Sequence, residues 1–312
     1  MLLAREELAR QANGEPSAIT IGVFDGVHRG HVHLISQTRA QGDDAGLQTG
    51  VITLHPAPET VLRPGKEPTV YLTSLDERME LLREEADWVA HVTFTSELAQ
   101  ISARDFVTLL MDVAGLRCLV EGPGFAFGRR REGTMEYLAE LGAELGYEVV
   151  EAEPLVENGE TVSSTLVRAA LEQGDMERTT GLLGRPFSLR GPVVKGAERG
   201  RTIGFPTANI AVAPDRQLPT FGIYVTRSFV GEKAYDSVTN IGLRPTFDET
   251  LPTVEAYLLD FEGDLYGAEM RLDILHRLRD EARFESIDEL KDQIDRDVVA
   301  AREYFAEERA NA

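Results

Sequence analysis

Two histidines three residues apart, His28 and His31, with Gly30 between them, follow the stretch Thr20-Ile21-Gly22-Val23-Phe24-Asp25-Gly26-Val27. The apolar run ending at Gly22 reads as a buried parallel strand. Asp25-Gly26 reads as a turn, and Leu34, Ile35 and Thr38 form the stripe of a helix that begins at His31. A helix start offers unpaired N–H groups and a positive dipole to an anion. Imidazoles placed there can donate to phosphate oxygens as charge builds in a transition state. Gly30 lets a triphosphate approach the backbone closely. A zinc site is a poorer reading, because His31 and His33 point to different faces of one helix and the single cysteine, Cys118, lies in an apolar run.

Three further stretches carry chemistry. Glu121-Gly122-Pro123-Gly124-Phe125-Ala126-Phe127-Gly128 leads into Arg129-Arg130-Arg131, and a glycine-rich loop after a strand admits a ring or a phosphate near the backbone. Ser163-Ser164-Thr165-Leu166-Val167-Arg168 opens a helix with hydroxyls and sets an arginine one turn in, a grouping able to hold phosphates. Gly196 to Asn209 contains Gly200, Thr202, Gly204, Phe205, Pro206 and Thr207. It matches neither a P-loop nor a dinucleotide fingerprint. Thr207 and Asn209 share a face if extended, and present two oxygens suited to Mg²⁺.

The elements that must position these groups fall into two textures. Up to about residue 184, short apolar runs (18–22, 50–54, 89–94, from 118, and 146–150) alternate with helical stripes, one of them opened by the capping-box spacing Ser74…Glu77. Such alternation predicts a doubly wound parallel α/β sheet, with its nucleotide crevice beside the first strand. From 185 to 312, β-rich runs (191–194, 222–229, 235–241, 254–260, 269–278) between Gly and Pro turns predict a small antiparallel barrel. A closing amphipathic helix covers 286–306.

On these residues the chain resembles a known family. Gly22, Phe24-Asp25-Gly26 and His28-x-Gly30-His31 are similar to the nucleotidyltransferase signature, and the wider match is to the bacterial bifunctional riboflavin kinase/FAD synthetase family. Phe125 and Gly122 fall in a segment like that family's Gly-x-Asp/Asn-Phe-x-Phe-Gly motif, and Ser163 to Arg168 in its Ser-Ser-Thr-x-x-Arg element. Gly204 to Asn209 resembles the Gly-x-Pro-Thr-Ala-Asn signature of riboflavin kinases. Arg244-Pro245-Thr246-Phe247, Asp260-Phe261 and Leu265-Tyr266-Gly267 extend the likeness, which covers most of 18–300.

The resemblance implies two reactions with ATP, riboflavin and FMN as substrates and Mg²⁺ with the ATP. The barrel would phosphorylate riboflavin, with Thr207 and Asn209 on Mg²⁺ and Glu255, in Thr253-Val254-Glu255, as base. The α/β domain would adenylylate FMN to FAD, with His28, His31 and Arg168 stabilising charge, Ser164 and Thr165 on the phosphates, and Gly22, Phe24, Asp25, Gly30, His55, Gly122 and Phe125 binding nucleotide or flavin. Two positions depart from the pattern: Ala57 stands where a phosphate-facing histidine is expected, with His55 two residues earlier, and Gly124 stands where a flavin-side Asp or Asn is expected. The alternative they raise is a riboflavin kinase whose first domain only binds or senses a nucleotide or flavin.

Composition bounds the rest. The chain has 312 residues with 53 acidic and 32 basic side chains, net −21. That balance repels nucleic acid, whose binding needs Lys and Arg. It also gives a self-repelling surface that salt would screen, as a high-salt cytoplasm would. A bias towards Arg over Lys, with only Lys66, Lys195, Lys233 and Lys291 present, is the competing explanation. No run reaches the length of a membrane span. One cysteine suits a reducing compartment, and the expected location is the cytoplasm with no membrane partner.

Overall fold

The computed structural model describes residues 1–63, 69–196, 200, 203–245 and 250–311. The chain divides into two compact units, Met1–Ser164 and Thr165–Ala312. That division lies some twenty residues before the expected change at 184/185.

In chain order the first unit holds α1 (Leu2–Gln11), β1 (Ser17–Gly22), α2 (Arg29–Ala45), β2 (Gln48–His55), α3 (Pro58–Leu62), α4 (Leu75–Arg83) and β3 (Trp88–Thr93). Then come α5 (Ala103–Val113), β4 (Leu116–Glu121), the small hairpin β5 (Ala126–Phe127) with β6 (Gly133–Thr134), α6 (Met135–Leu145) and β7 (Glu148–Glu151). A second small hairpin, β8 (Val156–Glu157) with β9 (Glu160–Thr161), ends it. The larger sheet runs β3-β2-β1-β4-β7, all parallel, as expected.

Alternate residues of the central strands feed two cores. Ile19, Ile21, Ile52 and Leu119 pack with Leu8, Leu110 and Leu138 of α1, α5 and α6. Val51 and Val89 pack on the other face with Ile35 of α2 and Met79 and Leu82 of α4. Helix starts follow the local chemistry. Ser74 and Glu77 complete the capping box of α4, and His28 itself caps α2, its ring nitrogen accepting from the His31 N–H. At Gly50 a Cβ would stand 2.1 Å from the Trp88 ring, so β2 and β3 lie together only because that position lacks a side chain.

The second unit opens with α7 (Ser164–Gln173) and α8 (Met176–Leu183). The helix α8 packs on the barrel strands β10 (Phe187–Val194) and β15 (Glu269–Arg279), and the Thr220 N–H donates to Leu171 O of α7. These contacts are why both helices group with the barrel. The barrel is closed and antiparallel in the order β10-β11-β14-β13-β12-β15, with β11 (Ala208–Ile210), β12 (Gly222–Val230), β13 (Lys233–Pro245) and β14 (Thr250–Leu258). Five of the six strands match the β-rich runs of the sequence. The sixth, β11, is three residues long and carries Asn209.

Buried hydroxyls of Thr226, Ser228, Ser237 and Thr239 bond to one another between β12 and β13. The terminal helix α9 (Ile287–Asn311) lays Ala301 and Phe305 against Ile223, Val225 and Val238. Its buried Asp297 accepts from both the Nε and Nη2 of Arg279, a bidentate tie to β15.

Candidate active sites

The β1–β4 ladder runs from Ser17↔Leu116 to Ile19↔Leu119, whereas β1 stays paired with β2 as far as Gly22↔Thr53. Strand order reverses between β1 and β4, and ligands of open α/β sheets bind in the crevice at that point. There the Ile21 N–H has no partner in the ladder and donates to Glu121 Oε1 at 2.8 Å.

The loop from β1 to α2 holds the two histidines. His28 is buried, and its ring stacks on His31 with centroids 3.6 Å apart. Phe24 meets the same His31 ring edge-on at 5.1 Å. The His31 Nδ1 is buried and has no hydrogen-bond partner among the described residues. Burial, then His28 and Arg78, hold the His31 pKa well below the ordinary imidazole value, so the ring is neutral at pH 7. At Gly30 a Cβ would fall 2.5 Å from Val162 O and 3.1 Å from the His28 ring. This position tolerates no side chain because of the protein's own Val162 carbonyl and His28 ring, and not because of the triphosphate approach expected there.

Phe24, Gly26 and Val27 all have positive φ, 51, 86 and 40°. For the two non-glycine residues this costs roughly 1–2 kcal/mol each. Asp25 holds the loop in that shape. Its carboxylate accepts from the Leu72 N–H at 2.9 Å and the Thr73 N–H at 3.2 Å. It also pairs with the fully buried Arg78 at 3.6 Å. The Gly26 N–H donates to Thr73 Oγ1, and Ser164 Oγ donates to Asp25 O. The Asp25 side chain is therefore turned inward as an anchor rather than outward to a nucleotide. Asp25→Ala removes the buried carboxylate that faces Arg78 and accepts from the Leu72 and Thr73 N–H groups, and is expected to destabilise the first unit by roughly 3–5 kcal/mol. Thermal unfolding of the variant, with riboflavin phosphorylation as the control, reads that loss.

A cavity of about 660 Å³ opens at the crevice, lined among others by Gly22, Phe24, His31, Glu121, Gly122 and Phe125. The rest of its wall is largely apolar, with Leu54, Phe94, Leu98, Phe106 and Phe127. Arg130 and Arg131 also line it. Gly124 has φ +72° and open space at its Cβ. That is a left-handed conformation which Gly adopts freely and which Asn and Asp tolerate best among the others. An Asn or Asp would fit the same backbone, so the departure at 124 removes a polar side chain. Ala57 is buried, and its N–H donates to Tyr71 OH at 2.9 Å. His55 packs its ring 5.3 Å from that of Tyr71, while Leu54 and Pro58 are the neighbours that reach the cavity wall. Thr165 and Arg168 belong to the second unit, on α7, and their part in a phosphate site rests on their motif.

In the barrel, Asn209 of β11 stands opposite Glu255 of β14, and Glu255 opposite Asn240 of β13. Thr207 Oγ1 donates to Glu255 Oε2 at 3.4 Å. A Cβ at Gly196 would lie 2.4 Å from Asn209 Nδ2. At Gly200 it would lie 2.3 Å from Phe205 O, which the Phe205 N–H bond to Gly200 O explains. Gly196 and Gly200 thus leave room for the Asn209 amide and the Phe205 carbonyl. Gly204 takes φ +95°, and Phe205 sets its ring edge-on to Tyr257 at 5.5 Å. A cavity of about 490 Å³ is lined by Gly196, Pro206, Thr207, Asn209, Phe261 and Tyr266 among others. Thr202 lies outside the described residues.

Sequence reasoning overlooked Glu121 and the Asp25–Arg78 pair. Glu121 had a signal, a charge closing the apolar run Leu119-Val120. Arg78 had none, since its partner is 53 positions away.

Comparison with known proteins covers both halves of the chain. A family model described as FAD synthetase matches residues 10–166, and one described as riboflavin kinase matches 183–305. The bifunctional riboflavin kinase/FMN adenylyltransferase of Escherichia coli K12 is 40% identical over 299 residues, 95% of each chain. The Bacillus subtilis protein so described is 35% identical over 309 residues, covering 97% of this chain and 95% of its own length. A crystal structure described as a macrolide-efflux protein from Streptococcus pneumoniae superposes with TM-score 0.86 at 29% identity, over 95% of this chain and 97% of that one. No helix among the described residues of this chain is long and apolar enough to cross a membrane. With both domains matched, in relatives aligned over nearly their whole length, the two-activity reading holds over the kinase-only alternative, and the chain belongs to the bifunctional riboflavin kinase/FMN adenylyltransferase family.

Proposed function

We propose that each reaction of the family runs on its own set of residues. The FAD-forming step takes place at the β1–β4 crevice with His28, His31 and Ser164, and Thr165 and Arg168 are assigned to the same step from their motif alone. The FMN-forming step takes place in the barrel with Thr207, Asn209 and Glu255. The observation that carries this is the stacked histidine pair at the start of α2, with His28 buried and His31 on the wall of a cavity large enough for a ring system.

In the first site an FMN phosphate oxygen attacks the α-phosphorus of ATP, and the bond to pyrophosphate breaks. The start of α2 and the two imidazoles face the charge that gathers on the phosphate oxygens. Phe125 and Gly122 lie on the cavity wall that would hold the flavin, and Gly22 and Phe24 lie towards the phosphates. Asp25 acts through the loop it anchors.

In the barrel a ribityl hydroxyl attacks the γ-phosphorus, ADP leaves, and Glu255 takes the hydroxyl proton. Thr207 Oγ1 and Asn209 Oδ1 are hard oxygen donors beside a carboxylate, a set that suits Mg²⁺. Mg²⁺ there would neutralise charge on the transferred phosphoryl group. Gly196, Gly204, Phe205 and Pro206 form the loop over it, and Thr202 is assigned to the same loop from its motif. A cytoplasmic location and a domain change near residue 184 complete the proposal. The match limits at 166 and 183 leave α7 and α8 as a connector.

Titrating Mg²⁺ tests the barrel assignment. Asn209→Ala is expected to raise the Mg²⁺ concentration for half-maximal FMN formation about tenfold, one hydrogen-bond-sized interaction, and to leave FAD formation from FMN unchanged. An unchanged Mg²⁺ dependence removes Asn209 from the metal site.

A further inference from the structure

Glu121 closes β4 and is almost fully buried, with 1% of its surface exposed. It lines the cavity at the crevice, and its Oε1 is taken by the Ile21 N–H. None of the ion pairs among the described residues includes it. A buried carboxylate without a counter-ion is costly, and here desolvation raises the Glu121 pKa well above the carboxylate range, the Ile21 bond opposing it only in part. An ionised carboxylate would also repel the phosphates that both substrates bring to this crevice. The neutral acid has one oxygen committed to Ile21 and one O–H to give. Besides Glu121, His31, Gln100, Arg130 and Arg131, the cavity wall is largely apolar, with Leu54, Phe94, Phe106 and Phe125. An isoalloxazine is an apolar tricycle with carbonyl oxygens along one edge, and those carbonyls need donors when buried.

We propose that Glu121 is a specificity-determining residue of the FMN site, with Oε1 fixed by the Ile21 N–H and the second oxygen donating its O–H to a ring carbonyl of the flavin. This rests on the reading that FMN occupies the first-unit cavity. The residue sits where β1 and β4 stop pairing, so the backbone of both strands fixes its place, and a rigid donor there reads the ring rather than the phosphate.

The test measures FAD formation from supplied FMN, with riboflavin phosphorylation by the same full-length protein as the control. Glu121→Leu is expected to raise KM for FMN about tenfold, the loss of one buried hydrogen bond, with KM for ATP and the kinase rate unchanged. Glu121→Gln keeps a donor and an acceptor and is expected to hold KM for FMN within about threefold. Loss in Glu121→Gln equal to that in Glu121→Leu overturns the proposal. So does an unchanged KM for FMN in Glu121→Leu, or KM values for FMN and ATP raised together, which marks a residue that only shapes the crevice.

Infrared difference spectra of the wild type, carrying ¹³C-labelled glutamate, serve even if Glu121→Leu does not fold. A protonated-carboxyl band that shifts on adding FMN and is missing from Glu121→Gln supports the assignment, and no such band contradicts it. Wild-type FAD formation that saturates with FMN establishes the underlying reading separately. Its absence refutes the site rather than the residue.

Discussion

His31→Ala is expected to lower the rate of FAD formation from FMN by about 10²–10³, the usual loss when one preorganised donor to a developing charge is removed. Riboflavin phosphorylation by the same protein should be unchanged. Three features make the loss specific. The His31 ring is held on two sides, stacked on His28 and edge-on to Phe24, so its nitrogen positions are fixed before substrate arrives. Burial keeps it neutral, which leaves one N–H to donate and no charge to be neutralised beforehand. The cap of α2 also survives the substitution, because His28 Nδ1 accepts from the backbone N–H of residue 31 at 3.3 Å and not from its ring. The helix start therefore persists while the donor disappears. Product chromatography with riboflavin and FMN supplied separately reads both activities. Equal loss of the two would contradict the division of labour.

Glu255→Gln is expected to do the converse. Gln keeps the size and the contact with Thr207 but cannot take a proton, so FMN formation should fall by about 10²–10⁴, the range for a lost general base. FAD formation from supplied FMN should remain. Glu255 is placed by the ladder itself, opposite Asn209 on one side and Asn240 on the other. The variant has little freedom to relocate. A kinase rate within a few-fold of the wild type would make Glu255 an ordinary strand carboxylate beside the cavity.

Much of this arrangement is legible in the residues. The period of the apolar runs predicts the parallel sheet, and the position of His28 and His31 after the first strand places them at the crevice, because β1 is central in the sheet. The glycines announce close approaches, and at Gly30 and Gly196 the structure shows what they approach, Val162 O and the Asn209 amide. Legibility fails where the deciding partner is distant in sequence. Asp25 reads as a ligand-facing loop acid, and its inward turn depends on Leu72, Thr73 and Arg78, which no local pattern links to it. The strand β11 is too short to show alternation, so the barrel's sixth strand is visible only once its neighbours are in place. Glu121 reads as the last residue of a strand. Its burial follows from the end of the β1–β4 pairing, a property of the sheet rather than of the segment.

The two family departures bear on the first unit alone. Gly124 has a backbone conformation that Asn or Asp also tolerates, and the buried Ala57 donates its N–H to Tyr71 OH. One polar side chain is thus missing from the flavin side, at Gly124, and one from the phosphate side, at Ala57. The remaining donors are the start of α2, His28 and His31, and on this account they suffice for turnover.

Incubating the purified full-length protein with MgATP and FMN, without riboflavin, at low and at high KCl tests this most directly. FAD and pyrophosphate are expected in equal amounts, at a rate that His31→Ala lowers about 10²–10³-fold and Glu255→Gln leaves intact. FMN formed from riboflavin but no FAD from FMN at either salt concentration would contradict it, leaving a kinase joined to a crevice that no longer transfers adenylate.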